Sequence, residues 1–487
     1  MKVSDFMKQK LIALALPLLF AGCSLAPRYS VPAFQAPGTY KELTPEQVAE
    51  AARWKDADPK DGKPRGKWWE VFESTELNAL EVQVTASNQS VAAALANFQA
   101  SRAVVKQVRS QYFPNVTAGP AVTRARTSTT AARAPSTATL FALPFDASWE
   151  ADLWGRIRNS VTAGSFEAQA VMADLENLRL TVQAEAAVDY FDIRVLDSQK
   201  RLLDDAVLTD QESLRLTQIE ADTGLLGGTD IELAETQLEL ARAQATDVGV
   251  LRAQLEHAVA ALAGKSASSF SIAVSPEIGK PVTIPSGVPS QLLERRPDIA
   301  ASERRVAEAN AQIGVARAAY FPTVMLGASS GLQSVGLGSL FSGPGLVWSV
   351  GAALAQTLFD GGKRKAVTAQ AKANYEITVA NYRQTVLTAF QEVEDNLATL
   401  SILERELRQQ NAAVESSHRS VTLVTERYDS GLDNYLVVTA AQTILLTNKR
   451  TALNLNTQQM TASVQLIKAL GGGWDASNLP SVKDIGR

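Results

Sequence analysis

Few residues in this chain of 487 could carry out chemistry, and none stands in a reactive pattern. Two histidines, His257 and His418, are too few for most metal or acid/base sites, and no motif surrounds either; both read as surface positions on long helices. The single cysteine, Cys23, excludes a disulfide framework. There is no GxxxxGK[ST] phosphate loop and no HExxH zinc motif. Gly471-Gly472-Gly473 reads as a helix stop, and no nucleophile can be paired with a base. A net charge of −4 does not suggest the basic face of a nucleic-acid binder. These residues argue against an enzyme, a cofactor or a bound metal, and any transport must draw its energy from a partner.

The elements must therefore supply the function. At the N-terminus, Lys2, Lys8 and Lys10 precede an apolar run from Leu11 to Phe20, then Ala21-Gly22-Cys23. This is a secretory signal, too short to span a bilayer as a stable helix. No later run reaches about 18 apolar residues, so a membrane crossing would require a closed β-barrel.

An internal repeat organises the rest. Tyr112-Phe113-Pro114 recurs as Tyr320-Phe321-Pro322, an offset of 208 (320 − 112). Leu153-Trp154 recurs as Leu358-Phe359, an offset of 205 (358 − 153), and Asp222-Thr223-Gly224-Leu225 recurs as Asp429-Ser430-Gly431-Leu432, an offset of 207 (429 − 222). Each copy reads helix, strand, loop, strand, long helix, turn, long helix. The spacing predicts helices over 74–112, 156–222 and 229–263, then 297–320, 362–430 and 434–470. A helix of about 67 residues is roughly 100 Å long, which belongs to bundles and coiled coils. Ile231, Ala234, Leu238, Ala241, Ala245, Val248, Arg252, Leu255, Val259 and Leu262 form a heptad seam with one charged interruption. Carried forward by 205, the seam becomes Leu436, Thr439, Thr443, Leu446, Arg450, Leu453, Thr457, Met460, Val464 and Ile467.

Strands are expected near 115–125, 141–153, 323–333 and 346–358. Leu143, Phe145, Ala147, Trp149, Ala151 and Leu153 alternate with Pro144, Asp146, Ser148, Glu150 and Asp152, the period of a strand. Trp348, Val350, Ala352 and Leu354 repeat the parity. In a membrane barrel the apolar set, including Ala147 and Trp149, faces lipid, and Ser148 and Glu150 face the lumen. Aromatic residues gather near the strand ends, as in interfacial girdles. Four strands cannot enclose a cargo-sized lumen, since barrels of about eight strands already fill with side chains; copies must associate. Arg126–Leu140 and Ser334–Gly345 read as exposed loops.

With these residues in place, the chain resembles the outer membrane efflux protein family (TolC-like), in its lipoprotein branch serving RND pumps, the NodT-like or OprM-like proteins. The marks are the doubled Tyr-Phe-Pro, Trp149-Glu150-Ala151-Asp152-Leu153-Trp154-Gly155, Glu294-Arg295-Arg296-Pro297-Asp298-Ile299 and the run from Arg427 to Leu436. The small residues before Cys23 resemble a lipobox, which implies a covalent lipid on Cys23; Ser24, in place of aspartate, implies sorting to the outer membrane. The resemblance implies a mainly α fold with a transmembrane β-barrel. Three protomers would give four strands each to a twelve-stranded barrel that continues into a long periplasmic α-helical tube.

The corresponding organisation is a signal peptide over 1–22, an anchored equatorial segment over 23–73, repeat one over 74–265, a linker over 266–296, repeat two over 297–472 and a tail over 473–487. The implied partners are two further copies, a periplasmic adaptor (membrane fusion protein), an inner-membrane RND pump and outer-membrane lipid, with no nucleic acid. The turns at Thr223-Gly224 and Ser430-Gly431 would meet the adaptor. Leu436 would plug the closed tip, with Asp433 nearby and Ala440 where relatives often carry an aspartate. Arg296, Pro297 and Asp298 read as a helix start with a structural role. The expected function is a passive exit duct for drugs or other small molecules; the alternatives are the exit duct of a type I secretion system and a lipid-anchored coiled-coil adaptor or scaffold.

Overall fold

The computed structural model describes residues 25–42, 67–126, 137–224, 227–279, 295–474, 477 and 479–485. The signal segment, Cys23, most of the loop after residue 126 and much of the 266–296 linker lie outside the described residues.

Repeat one begins with two helices, α1 (Thr75–Ser87) and α2 (Gln89–Arg109), where the sequence predicts a single helix over 74–112. Asn88 makes the break. Its backbone is extended (φ −65°, ψ 124°), its Oδ1 accepts from the Val91 amide at 3.0 Å, and its Nδ2 donates to the Leu262 carbonyl at 2.9 Å. An Asn side chain that satisfies backbone groups in this way starts a new helix more readily than it continues an old one.

The expected strand over 115–125 is also split, into β1 (Asn115–Ala118) and β2 (Ala121–Arg126), on either side of Gly119-Pro120. Proline donates no ladder hydrogen bond, but the register runs through: Ala118 faces Phe145 and Ala121 faces Ala142. The hairpin partner β3 (Thr137–Ala151) is followed by the 67-residue helix α3 (Arg156–Asp222) and by α4 (Gly228–Leu262). Repeat two supplies α5 (Pro297–Ala318), β4 (Thr323–Ser334), β5 (Leu346–Ala355), the 67-residue α6 (Lys363–Asp429) and α7 (Tyr435–Ala469); a short α8 (Val482–Ile485) follows. The strands form one antiparallel sheet in the order β1/β2, β3, β4, β5. Pro144 sits inside β3, opposite Gly331, where a Cβ would come within 2.7 Å of Pro144 Cα; only glycine lets the two strands close there.

Helices α3 and α4 form one antiparallel hairpin, α6 and α7 the other, and α5 packs between α3 and α6. Buried Ala300, Ala301, Ala307, Ala309, Ala311 and Gly314 make that close approach possible. The first heptad seam is present: Ala234, Leu238, Ala241, Ala245 and Val259 are buried. The second seam departs from the offset of 205 in its first half: Met460, Val464 and Ile467 are buried as expected, but Leu436 and Thr443 are exposed. The long helices start 207 residues apart (363 − 156 and 435 − 228). Accordingly Tyr435, Val438, Ala441, Leu455 and Leu466 are buried, whereas Leu436 is 59% exposed.

Arg252, the charged interruption of the first seam, belongs to a buried ionic cluster that closes the waist of repeat one. Its Nε donates to Asp197 Oδ1 at 2.6 Å and its Nη2 to the Ile272 carbonyl at 2.9 Å. Asp197 Oδ2 accepts from the Ser275 amide at 2.9 Å and lies 3.5 Å from Arg194 Nη1, which donates to the Ala273 carbonyl at 2.6 Å. Arg194 also pairs with Glu76 on α1. The segment after α4 is thereby tied across α3. Arg296 ties repeat two similarly, donating to Asp298, to Glu392 on α6 and to the Ala469 carbonyl that ends α7.

One buried group has no such partner. Glu81 on α1 is fully buried and neither carboxylate oxygen is hydrogen-bonded. Burial pushes its carboxyl from 4.5 up to about 9. The native state therefore keeps a proton that the unfolded chain releases. Stability is complete below the unfolded value and declines as pH rises toward the folded one. Glu81→Gln should match the native chain in acid and melt at a higher temperature at neutral and alkaline pH. Parallel melting curves against pH would refute a protonated Glu81.

Candidate functional site

The sheet and the helical tips carry the functional surfaces. Cross-strand register brings Val116, Ala147, Ala328 and Val350 into one row, and Phe145, Ser330 and Trp348 into the next. The same face holds Trp149, Leu326, Leu332 and Leu354. The opposite face holds Asp146 with Ser329 and Ser349, and Ser148 with Gly327 and Gly351. The apolar face is bare: Trp348 is 74% exposed, Val350 76% and Leu354 71%. Monomeric soluble proteins rarely expose so continuous an apolar patch. The parity read from β3 and β5 thus extends to β1 and β4; on β2 Val122 keeps it, but Arg124 and Arg126 share that face, opposite Thr139 and Thr137.

At the root of the sheet Asp152 accepts from the Ile157 and Arg158 amides at 3.0 and 2.9 Å, capping α3. Asp360 does the same for α6 through the Gly362 and Arg364 amides at 3.0 and 3.1 Å. Each strand thus passes into its long helix through an acidic cap placed at the positive end of the helix. A strap over residues 25–42 runs along α5 and α6. The Leu25 carbonyl accepts from Arg317 at 3.3 Å and the Pro27 carbonyl from Asn310 at 2.9 Å; farther on Tyr29 meets Glu303 and Phe34 stacks on Phe390. The strap's first described residues therefore lie by the end of α5 that leads into β4. The sequence motif gave no sign of this path.

At the far end, Thr223, Gly224, Ser430 and Gly431 are all exposed at the two hairpin turns, as expected. Gly224 and Gly431 have φ of +75° and +69°, the left-handed conformation that ends a helix. Leu432 donates to the Arg427 carbonyl at 2.9 Å and Gly431 to the Tyr428 carbonyl at 2.8 Å, closing a Schellman motif. Two contacts were not legible from spacing. The Tyr428 hydroxyl donates to Glu220 Oε2 at 2.5 Å, joining the tips of the two hairpins, and burial beside Glu220 raises its pKa. Asp433 accepts from Arg427 Nε at 2.6 Å and Nη2 at 3.1 Å, and this guanidinium holds its carboxyl below the usual range. Leu436 and Ala440 project from the core of their own hairpin, one turn apart and both exposed.

His257 and His418 are exposed on helices. Among the described residues no group of three or more His, Cys, Asp and Glu converges on a metal-sized space, and no helix is long and apolar enough to cross a membrane.

A bare one-sided sheet rooted on two long helical hairpins defines a channel subunit of the outer-membrane type. The outer membrane efflux protein family matches over residues 80–265 and 288–472, and the chain belongs to that family. The toluene efflux pump outer membrane protein TtgF of Pseudomonas putida is 29% identical over 474 residues, 96% of this chain and 98% of the relative. Outer membrane protein OprJ of Pseudomonas aeruginosa is 30% identical over 471 residues, 95% of each chain. Among solved structures, the outer-membrane channel OprN superposes with a TM-score of 0.84 at 27% identity, covering 93% of this chain and all of that one. The protein is therefore an outer-membrane efflux component, and its family is one of ducts, which sets aside the lipid-anchored periplasmic adaptor or scaffold.

Proposed function

We propose that three copies close a twelve-stranded barrel whose lumen continues into the helical tube, forming the passive exit duct of a tripartite RND-type pump. The observation that carries this reading is the bare apolar face of a sheet with two open edges. In hydrocarbon every backbone group must be paired, so such a sheet is stable only when closed, and copies of itself offer matching edges. The name of TtgF, an efflux pump outer membrane protein, favours this pump over a type I secretion system. Cargo would be small molecules, with selection left to the pump.

In this reading Cys23 carries the lipid. Leu25, two positions after it and the first described residue, lies by the Arg317 end of α5, the end that leads into β4. Mass spectrometry of the mature N-terminus decides the point; an unmodified cysteine there would end the lipid claim. The turns at Thr223-Gly224 and Ser430-Gly431 would seat the periplasmic adaptor. Positive φ strains any side chain at Gly431, so Ser430 is the better probe. Ser430→Trp should lose co-purification with the adaptor while keeping trimers, and undiminished co-purification would remove the tip assignment.

The barrel itself is tested by paired arginines. Ala147→Arg, on the apolar face, should cost about 2–4 kcal/mol near the bilayer midplane and deplete heat-modifiable trimers. Ser148→Arg, one residue on and facing the lumen, should assemble nearly normally. Equal tolerance of the two would mean that the sheet does not meet lipid.

A further inference from the structure

The internal repeat forms one aromatic contact within the chain and leaves its twin open. After β3, Trp154 stacks on Phe321, which precedes β4, with ring centroids 4.8 Å apart and planes at 24°. The Trp154 indole also donates to the Pro322 carbonyl at 2.7 Å. The repeat copies of these rings are Phe359, after β5, and Phe113, before β1. Among the described residues neither packs on another ring: Phe359 is 89% exposed and Phe113 is 72% exposed, against 38% for Phe321. The helices behind them show the same vacancy. α5 is held between α3 and α6, but its repeat copy α2 packs chiefly along α3, with Ile485 of α8 against Val105, and leaves Leu95 and Val104 about half exposed. The sheet also stops at β5 on one side and at β1/β2 on the other.

We infer that Phe359 of one copy stacks on Phe113 of the partner subunit, repeating between chains the Trp154–Phe321 junction inside each chain. The occupant is a second copy because it alone brings the repeat-one edge, with Tyr112-Phe113-Pro114 at its foot, to the free edge of β5. The barrel root then carries six such junctions, alternating between Trp–Phe within a chain and Phe–Phe between chains. The intermolecular junctions lack the indole hydrogen bond and are the weaker set, so they are where protomers part first. This inference rests on the trimer reading and adds the residues that meet.

Full-length protein carrying Phe113→Cys and Phe359→Cys together, treated with a short bis-maleimide in outer-membrane vesicles, should yield covalent dimers and trimers on denaturing gels. Each single variant should stay monomeric, which also controls for Cys23. Trimers by light scattering without the cross-link would overturn the pairing, leaving both rings to lipid, while the trimer reading stands. A monomeric mass would overturn both. Phe359→Trp provides an independent readout, since its indole would reach the partner's Pro114 carbonyl as Trp154 reaches Pro322. It should raise the temperature at which detergent-resistant trimers dissociate by several degrees, and Phe359→Ala should lower it. No shift in either variant would count against the junction.

Discussion

Asp197→Ala should be the most destabilising single substitution in the helical waist, by about 3–5 kcal/mol, because it strips the shared carboxylate from one buried and one part-buried guanidinium group. The Asp197 side chain is fully buried, Arg194 is 2% exposed and Arg252 18%. Arg194 retains Glu76 and the Ala273 carbonyl, but Arg252 keeps only a long contact with Glu256 and one carbonyl. The Ser275 amide also loses its acceptor. Asp197→Asn keeps one acceptor oxygen in place and should lose less. Arg215, whose pair with Glu212 is exposed, should tolerate alanine with no measurable change. Thermal unfolding of detergent-solubilised protein, followed by helical circular dichroism, measures all three. A native-like melting temperature for Asp197→Ala would show that the cluster contributes no net stability.

This cluster also marks the limit of what the sequence discloses. Arg252 breaks the heptad pattern and is visible as an anomaly, but Asp197 and the Ile272 carbonyl, which it meets, stand 55 and 20 residues away, and no spacing rule links them to it. Features set by local periodicity were legible: the one-sided faces of β3 and β5, the 67-residue helices and the turns at Gly224 and Gly431. The break at Asn88 was not, since its cause includes the Leu262 carbonyl, 174 residues away. The misplaced first half of the second seam has a simpler origin. Leu-Trp and Leu-Phe match at an offset of 205, but Asp360-Gly361 adds two residues before the glycine that precedes each long helix, Gly155 and Gly362. Every position beyond that loop needs 207. The correction moves Ile231 onto Val438, which is 3% exposed, and releases Leu436 from the core.

That release bears directly on the gate. Leu436→Ser should raise the resting conductance of reconstituted channels several-fold. Leu432, in the turn before α7, and Leu436, in its first turn, are 68% and 59% exposed, and Ile444 farther along α7 is 57% exposed. None of the three is needed to hold its own hairpin, which Tyr435, Val438 and Ala441 already close. About a threefold axis, leucines at one level would form an apolar constriction that opposes wetting, the barrier a hydrophobic gate uses. Charge contributes less. Asp433 is ionised but is neutralised by Arg427 of the same chain, and Ala440 has no charge to offer. Asp433→Asn should therefore leave cation block nearly unchanged, and Ala440→Asp should create block by trivalent cations from the periplasmic side, since three carboxylates in a narrow pore focus the field on cations. The Tyr428–Glu220 bond holds the two hairpins together at this level, so Tyr428→Phe should add to the effect of Leu436→Ser by letting the second hairpin swing outward. Single-channel recording in planar bilayers separates these contributions. Unchanged conductance for Leu436→Ser in intact trimers would place the barrier elsewhere along the tube, and strong cation block in the native channel would mean that another carboxylate lines it.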